Sequence, residues 1–127
     1  MKTILFADDS ATVRYLVREY LGDDGYDLLE APNGKRALEL IRERRPDLAL
    51  LDLQMPEIDG FAVCEAIKQD LDIPVIILTS MDNEADRDWA MDSGADEYLT
   101  KPVEREHLLA TVHQFLQPTA CEEEGTS

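Results

Sequence analysis

The sequence predicts an α/β fold, a parallel sheet covered by helices on both faces. Two observations predict it. Short apolar runs of strand length alternate five times with stretches of helical periodicity. One of these runs, Val75-Ile76-Ile77-Leu78, is apolar without interruption, as in a strand buried on both sides. Strands separated by helices are joined by right-handed crossovers, which makes the sheet parallel and doubly wound.

The first strand is expected over Thr3 to Ala7. Behind Ser10 as N-cap, Val13, Leu16, Val17, Tyr20 and Leu21 recur at i, i+3, i+4, i+7 and i+8, one face of a helix that ends near Gly22. A second strand over Asp27 to Ala31 leads through Pro32-Asn33-Gly34 into a helix with Ala37, Leu38 and Ile41 inward, stopped before Pro46. The third strand is Leu48 to Leu51, followed by Asp52, a loop with Pro56 and Gly60, and a helix marked by Phe61, Val63, Ala66 and Ile67. After the Val75 to Leu78 strand, Glu84 to Ser93 reads as a helix with a poor apolar stripe, Trp89 and Met91 among many charges. Glu97 to Thr100 is a short last strand, and Leu108, Leu109, Val112, Phe115 and Leu116 give the last helix a buried face.

These 127 residues fit one domain, placed at residues 1–117. From Pro118 the chain lacks core-forming residues, so 118–127 is expected to be a disordered acidic tail and a natural end. The apolar content of 44% beside 31% charged residues is that of a soluble domain, and no run approaches the roughly 20 apolar residues of a membrane span. The N-terminus lacks the pattern of a secretory signal, and a cytoplasmic location is expected. Cys64 and Cys121 have no metal or redox spacing and read as free thiols. Twenty-eight acids against twelve bases give a net charge of -16, which repels nucleic acid and anionic membrane.

Parallel sheets of this kind bind ligands at the carboxyl ends of their strands. The residues there are Asp8 and Asp9 after the first strand, Asp52 after the third, Thr79 and Ser80 after the fourth, and Lys101 after the fifth. Three carboxylates at one sheet end repel one another, so a cation is expected. Mg²⁺ suits such an oxygen-only set, and together with Lys101 it brings the formal charge to zero. One carboxylate can then attack phosphorus to give an aspartyl-phosphate, assisted by the ion, Lys101 and a hydroxyl, for which Thr79 is best placed. Asp52 is the expected nucleophile because it stands alone, whereas the adjacent Asp8 and Asp9 suit a shared metal. An acidic pair after a strand can equally be a solvated turn or a helix N-terminus complementing its dipole. What favours chemistry is that four strand ends carry residues the same reaction needs.

At these residues the sequence resembles the receiver domain of bacterial two-component response regulators, over about Lys2 to Gln117. The motifs are Ala7-Asp8-Asp9-Ser10, Leu50 to Gly60 with Asp52 and Met55-Pro56, Pro74 to Ser80 with Thr79, and Gly94 to Pro102 with Lys101. The resemblance implies a flavodoxin-like (βα)5 fold with strand order 2-1-3-4-5, the order for which a chemotaxis regulator is a known example. It implies that Asp52 is the phosphoacceptor and that Mg²⁺ is held by Asp9, Asp52 and the Gln54 backbone carbonyl, with Asp8 acting through water. It implies a cis Lys101-Pro102 bond, against a base rate of roughly 5%.

By the same resemblance, the phosphoryl donor is a sensor histidine kinase or phosphotransfer domain, and the chain assists its own phosphorylation and dephosphorylation without being an enzyme in the usual sense. Thr79 and Tyr98 form the switch. They alter the face of the fourth helix, fifth strand and fifth helix for a downstream protein, with no direct nucleic acid or membrane contact. Gln54 and Met81 occupy positions that tune phosphoryl lifetime, and the uncharged Met81 implies slow loss. The chain also loosely resembles single-domain regulators of pilus-driven motility. Whether it is a monomer or a phosphorylation-dependent dimer is open, as is whether it is a piece of a longer regulator.

Other readings compete. A haloacid-dehalogenase-like phosphatase also uses Asp, Mg²⁺, Ser or Thr and Lys, but its nucleophile ends the first strand in an Asp-x-Asp pattern, where this chain has Asp8-Asp9 and no cap segment. A nucleotide binder would need a glycine-rich cradle in the first loop, which is absent. A phosphorylation-independent interaction module is disfavoured by the intact site.

Overall fold

The computed structural model describes residues 2–55, 58–81 and 83–116. Ten elements alternate along the chain: β1 (Thr3–Ala7), α1 (Ala11–Asp23), β2 (Asp27–Ala31), α2 (Gly34–Arg44), β3 (Leu48–Leu51), α3 (Gly60–Asp70), β4 (Val75–Thr79), α4 (Glu84–Asp92), β5 (Glu97–Thr100) and α5 (Arg105–Leu116). The sheet has the order β2-β1-β3-β4-β5 and every pairing is parallel. This is the doubly wound arrangement expected from the sequence. Pro56 and the tail expected over 118–127 lie outside the described residues.

The two-residue period of the strands sorts the core into two layers. Ile4, Phe6, Leu48, Leu50, Ile76 and Leu78 face one side, with Val17 and Leu21 of α1 and Leu108, Val112 and Leu116 of α5. Leu5, Ala7, Ala49, Leu51, Val75 and Ile77 face the other, with α2, α3 and α4 over them. Four helices start from a side-chain cap directly after the strand-end loops: Ser10, Asn33, Asp59 and Asn83 accept from the amides of Val13, Arg36, Ala62 and Asp86. The caps fix where each helix departs, and so shape the carboxyl edge of the sheet.

Several expectations need correction. Leu16 is on the outer side of α1, 45% exposed, because Val17 and Leu21 already fill the face toward the sheet. Leu40 and Cys64 are buried members of the core that the periodicity did not single out. Trp89 and Met91 are exposed at 58% and 42%, so the stripe expected for α4 is not its buried face; Ala90 is its buried residue. Ala90 joins the core cluster that also holds Cys64 and Ala95, and Trp89 is turned out onto Phe61 at a ring separation of 4.5 Å. β4 extends one residue further than expected, so Thr79 is the last residue of the strand, in register with Thr100.

Candidate functional site

The carboxyl ends of β1, β3, β4 and β5 converge on one cluster. Asp8 is fully buried and Asp52 nearly so, whereas Asp9 is exposed. One carboxylate oxygen from each of the three lies within 4.8 Å of the others. Lys101, carried in by β5, sits between two of them: its Nζ donates to Asp8 Oδ2 at 2.6 Å and to Asp52 Oδ2 at 3.0 Å. The Lys101-Pro102 peptide is cis, as the resemblance implied.

Each buried carboxylate is held at both oxygens. Asp8 Oδ1 accepts from the Ser10 amide at 2.8 Å, and Asp52 Oδ1 accepts from the Gln54 amide at 3.1 Å. Burial nevertheless pushes the Asp8 carboxyl above its ordinary value, assisted by the nearby Asp52 charge and opposed by Lys101 and the Ser10 amide. For Lys101 burial alone would lower the value, but its bonds to Asp8 and Asp52 and their charges outweigh that and raise it. The ion pair therefore favours the charged lysine more clearly than it favours charged Asp8, whose cost of burial the single ammonium does not cancel.

This donor set fits a hard divalent cation. All three side chains offer oxygen, and separations within 4.8 Å are of the order of two Mg–O bonds of ~2.1 Å. One lysine leaves three carboxylates incompletely neutralised, an electrostatic opening that a cation would fill.

The remaining expected residues lie around this centre. Thr79 is fully buried, and its Oγ1 accepts from the Met81 amide at 3.4 Å. Ser80 is exposed and its hydroxyl reaches the Gln54 side chain at 3.5 Å. Tyr98 is buried on β5, its hydroxyl donating to the Met81 carbonyl, with the Arg87 guanidinium of α4 4.8 Å from its ring centroid. Gly60, at the start of α3, presses against Asp52: a Cβ there would stand 2.3 Å from the Asp52 carbonyl oxygen.

Two neighbours were missed from sequence. Arg14 donates to the Asp8 carbonyl at 2.6 Å and Glu30 lies 3.6 Å from Arg14. The only signal was helical spacing, which puts residue 14 one turn beyond the Ser10 cap and does not distinguish it from a solvent-facing arginine.

Comparison with known proteins bears on the family and the fold. The family profile described as Response regulator receiver domain matches residues 4–113. Protein PilH of Pseudomonas aeruginosa is 40% identical over 119 residues, covering 91% of this chain and 98% of that protein. The DNA-binding dual master transcriptional regulator RpaA of a Synechocystis species is 41% identical over 122 residues, 94% of this chain but 51% of that protein. The chain spans about half the length of several curated relatives it matches, 45% to 49% for algal probable transcriptional regulators ycf27. The crystal structure of the BeF3-activated N-terminal receiver domain of Klebsiella pneumoniae RstA superposes with a TM-score of 0.87 at 33% identity, covering 91% of this chain and 98% of that one. The chain belongs to the response regulator receiver domain family.

Proposed function

We propose that this receiver takes a phosphoryl group onto Asp52 from a phosphohistidine on a sensor kinase or phosphotransfer domain, and switches its affinity for a downstream protein. The observation that carries this reading is Lys101 Nζ bridging Asp8 and Asp52 at 2.6 and 3.0 Å, with Asp9 at the same cluster. Mg²⁺, when bound, supplies charge neutralisation for the carboxylates and for the phosphoryl oxygens. Asp9, Asp52 and the Gln54 backbone carbonyl would hold it, with Asp8 in support.

Within this reading Asp52 Oδ2 is the attacking oxygen. Its near burial excludes bulk water from the carboxylate, and the Gln54 amide on Oδ1 fixes its rotation. Lys101 is already within reach of Oδ2 and follows the negative charge onto the phosphoryl group, while Thr79 offers a hydroxyl from the neighbouring strand. Tyr98 reports the change at the α4, β5 and α5 face, where the downstream protein docks. Within this reading the protein works in the cytoplasm, beside the kinase domain that phosphorylates it. Among the described residues, no helix is long and apolar enough to cross a membrane.

The test is incubation with a small acyl phosphate, with and without Mg²⁺, for the protein and for Asp52→Asn. One Mg²⁺-dependent, hydroxylamine-labile adduct that Asp52→Asn lacks is expected. An adduct that persists in Asp52→Asn rejects the assignment of the acceptor, and rapid turnover of many phosphomonoesters would point to a phosphatase instead.

A further inference from the structure

We infer that Arg14 is a positioning residue for the cation pocket: it holds the Asp8-Asp9 peptide in the orientation that brings the Asp9 carboxylate to Asp8 and Asp52. The inference rests on the cation reading above. Arg14 is on α1, and its Nη1 donates to the Asp8 carbonyl at 2.6 Å. Its Nε lies 3.6 Å from Glu30 Oε1, and Glu30 Oε2 is also 3.0 Å from Arg18 Nη1. Glu30 thus aims Arg14 from β2, and the next residue, Ala31, accepts the Asp8 amide at 3.0 Å.

All four polar positions of Asp8 are thereby taken. The amide goes to Ala31, the carbonyl to Arg14, Oδ1 to the Ser10 amide and Oδ2 to Lys101. A peptide unit is planar, so fixing the Asp8 carbonyl also fixes the Asp9 nitrogen and the direction in which Asp9 leaves the strand. Asp9 is exposed, so packing does not place its carboxylate and its backbone must. Arg14 is suited to this because its planar fork can hold a carbonyl and a carboxylate at once, which an ammonium cannot do in the same geometry.

A bare counter-charge role makes the opposite prediction. Removing a positive charge beside the pocket would strengthen cation binding on Coulomb grounds alone, whereas removing a positioning group weakens it. Calorimetric titration of Mg²⁺ into unphosphorylated protein separates the two, at fixed ionic strength. Arg14→Gln is expected to bind about tenfold more weakly than the unaltered protein, the usual scale for supports of metal ligands. Arg14→Lys is expected to lie between them. Arg14→Gln binding as tightly as the unaltered protein, or tighter, overturns the inference. Circular dichroism melts establish that the variants are folded. Should Arg14→Gln not fold, Arg14→Lys decides alone: its charge is kept, so unchanged affinity overturns the inference and weakened affinity supports it. Failure of the unaltered protein to bind Mg²⁺ would overturn the cation reading as well, a result the Arg14 variants cannot produce.

Discussion

Gly60→Ala is the substitution whose cost can be worked most directly from the structure. A Cβ at residue 60 would stand 2.3 Å from the Asp52 carbonyl oxygen, 2.8 Å from Leu53 Cα and 2.9 Å from Asp52 C. All three are backbone atoms, so no side-chain rotation relieves the clash. The backbone can yield little, because the Asp52 amide is tied to the Ala7 carbonyl at 3.0 Å and the Gly60 amide to the Leu53 carbonyl at 3.2 Å. Overpacking costs about 1–3 kcal/mol, and this rigid case belongs at the upper end. Alanine recovers at most ~1 kcal/mol through its higher helix propensity, leaving a net loss of about 2 kcal/mol. That lowers the melting temperature by roughly 5–8 °C in a domain of this size. The displaced backbone carries Asp52 with it, so its reaction with acyl phosphate should fall by up to ~10²-fold, as for a misplacement of about 1 Å. Gly22→Ala is the control, since nothing lies within 4 Å of a Cβ there and the residue is inside α1; it should raise stability by about 0.4–1 kcal/mol. Calorimetric melts and a phosphorylation time course read both effects. A Gly60→Ala protein that melts at or above the parent temperature and reacts at the parent rate refutes the close approach.

Three further outcomes are expected. On a Cys121→Ser background, Cys64 should react with a water-soluble disulfide reagent near pH 8 no faster than the protein unfolds, because the thiol is fully buried and burial pushes it up to about 11; completion within seconds would contradict that. The sign follows from linkage: Cys64 contributes stability in full below its ordinary value of 9.0 and loses it as pH rises through about 11, so the advantage over Cys64→Ala in urea melts should narrow across that window. The Phe61 and Trp89 rings, stacked at 4.5 Å and 17°, should show a coupling of about 0.5–1.5 kcal/mol in a double-mutant cycle of Phe61→Leu and Trp89→Leu, and additivity of the two losses would sink the idea that this stack anchors α4.

The sheet was legible because its signal is local. Val75 to Leu78 is a strand in any register, and Ser10, Asn33 and Gly60 punctuate the helices where the backbone requires it. Helix α4 was not legible in the same way. Its apolar residues Trp89 and Met91 mimic a core stripe, yet it is Ala90 that joins the core cluster, a choice set by neighbours outside the helix. The cluster of Asp8, Asp9, Asp52 and Lys101 was legible because topology brings strand ends together without reference to loop detail. Arg14 was not, because its partner Glu30 belongs to another strand and the bond to the Asp8 carbonyl is a main-chain contact with no residue-type signature.

Thr79 and Tyr98, expected to act as a pair, are 19 positions apart in the chain and meet at one residue. The Met81 amide donates to Thr79 Oγ1 and the Met81 carbonyl accepts from the Tyr98 hydroxyl. A Thr79 hydroxyl drawn to a phosphoryl oxygen on Asp52 would leave the Met81 amide without that acceptor, and a main-chain amide deprived of its partner costs about 1–3 kcal/mol unless the segment moves. Movement of Met81 carries its carbonyl, and so alters the site that receives the Tyr98 hydroxyl. Tyr98 lies under Arg87 of α4, whose own burial is confined to Ala90, so the element with least to lose is the one at the end of this route. If Thr79 and Tyr98 switch as proposed, α4 is the element at the end of that route, and with Ala90 as its one buried residue and Trp89 stacked on Phe61 it can follow a peptide that a deeply packed helix would hold still.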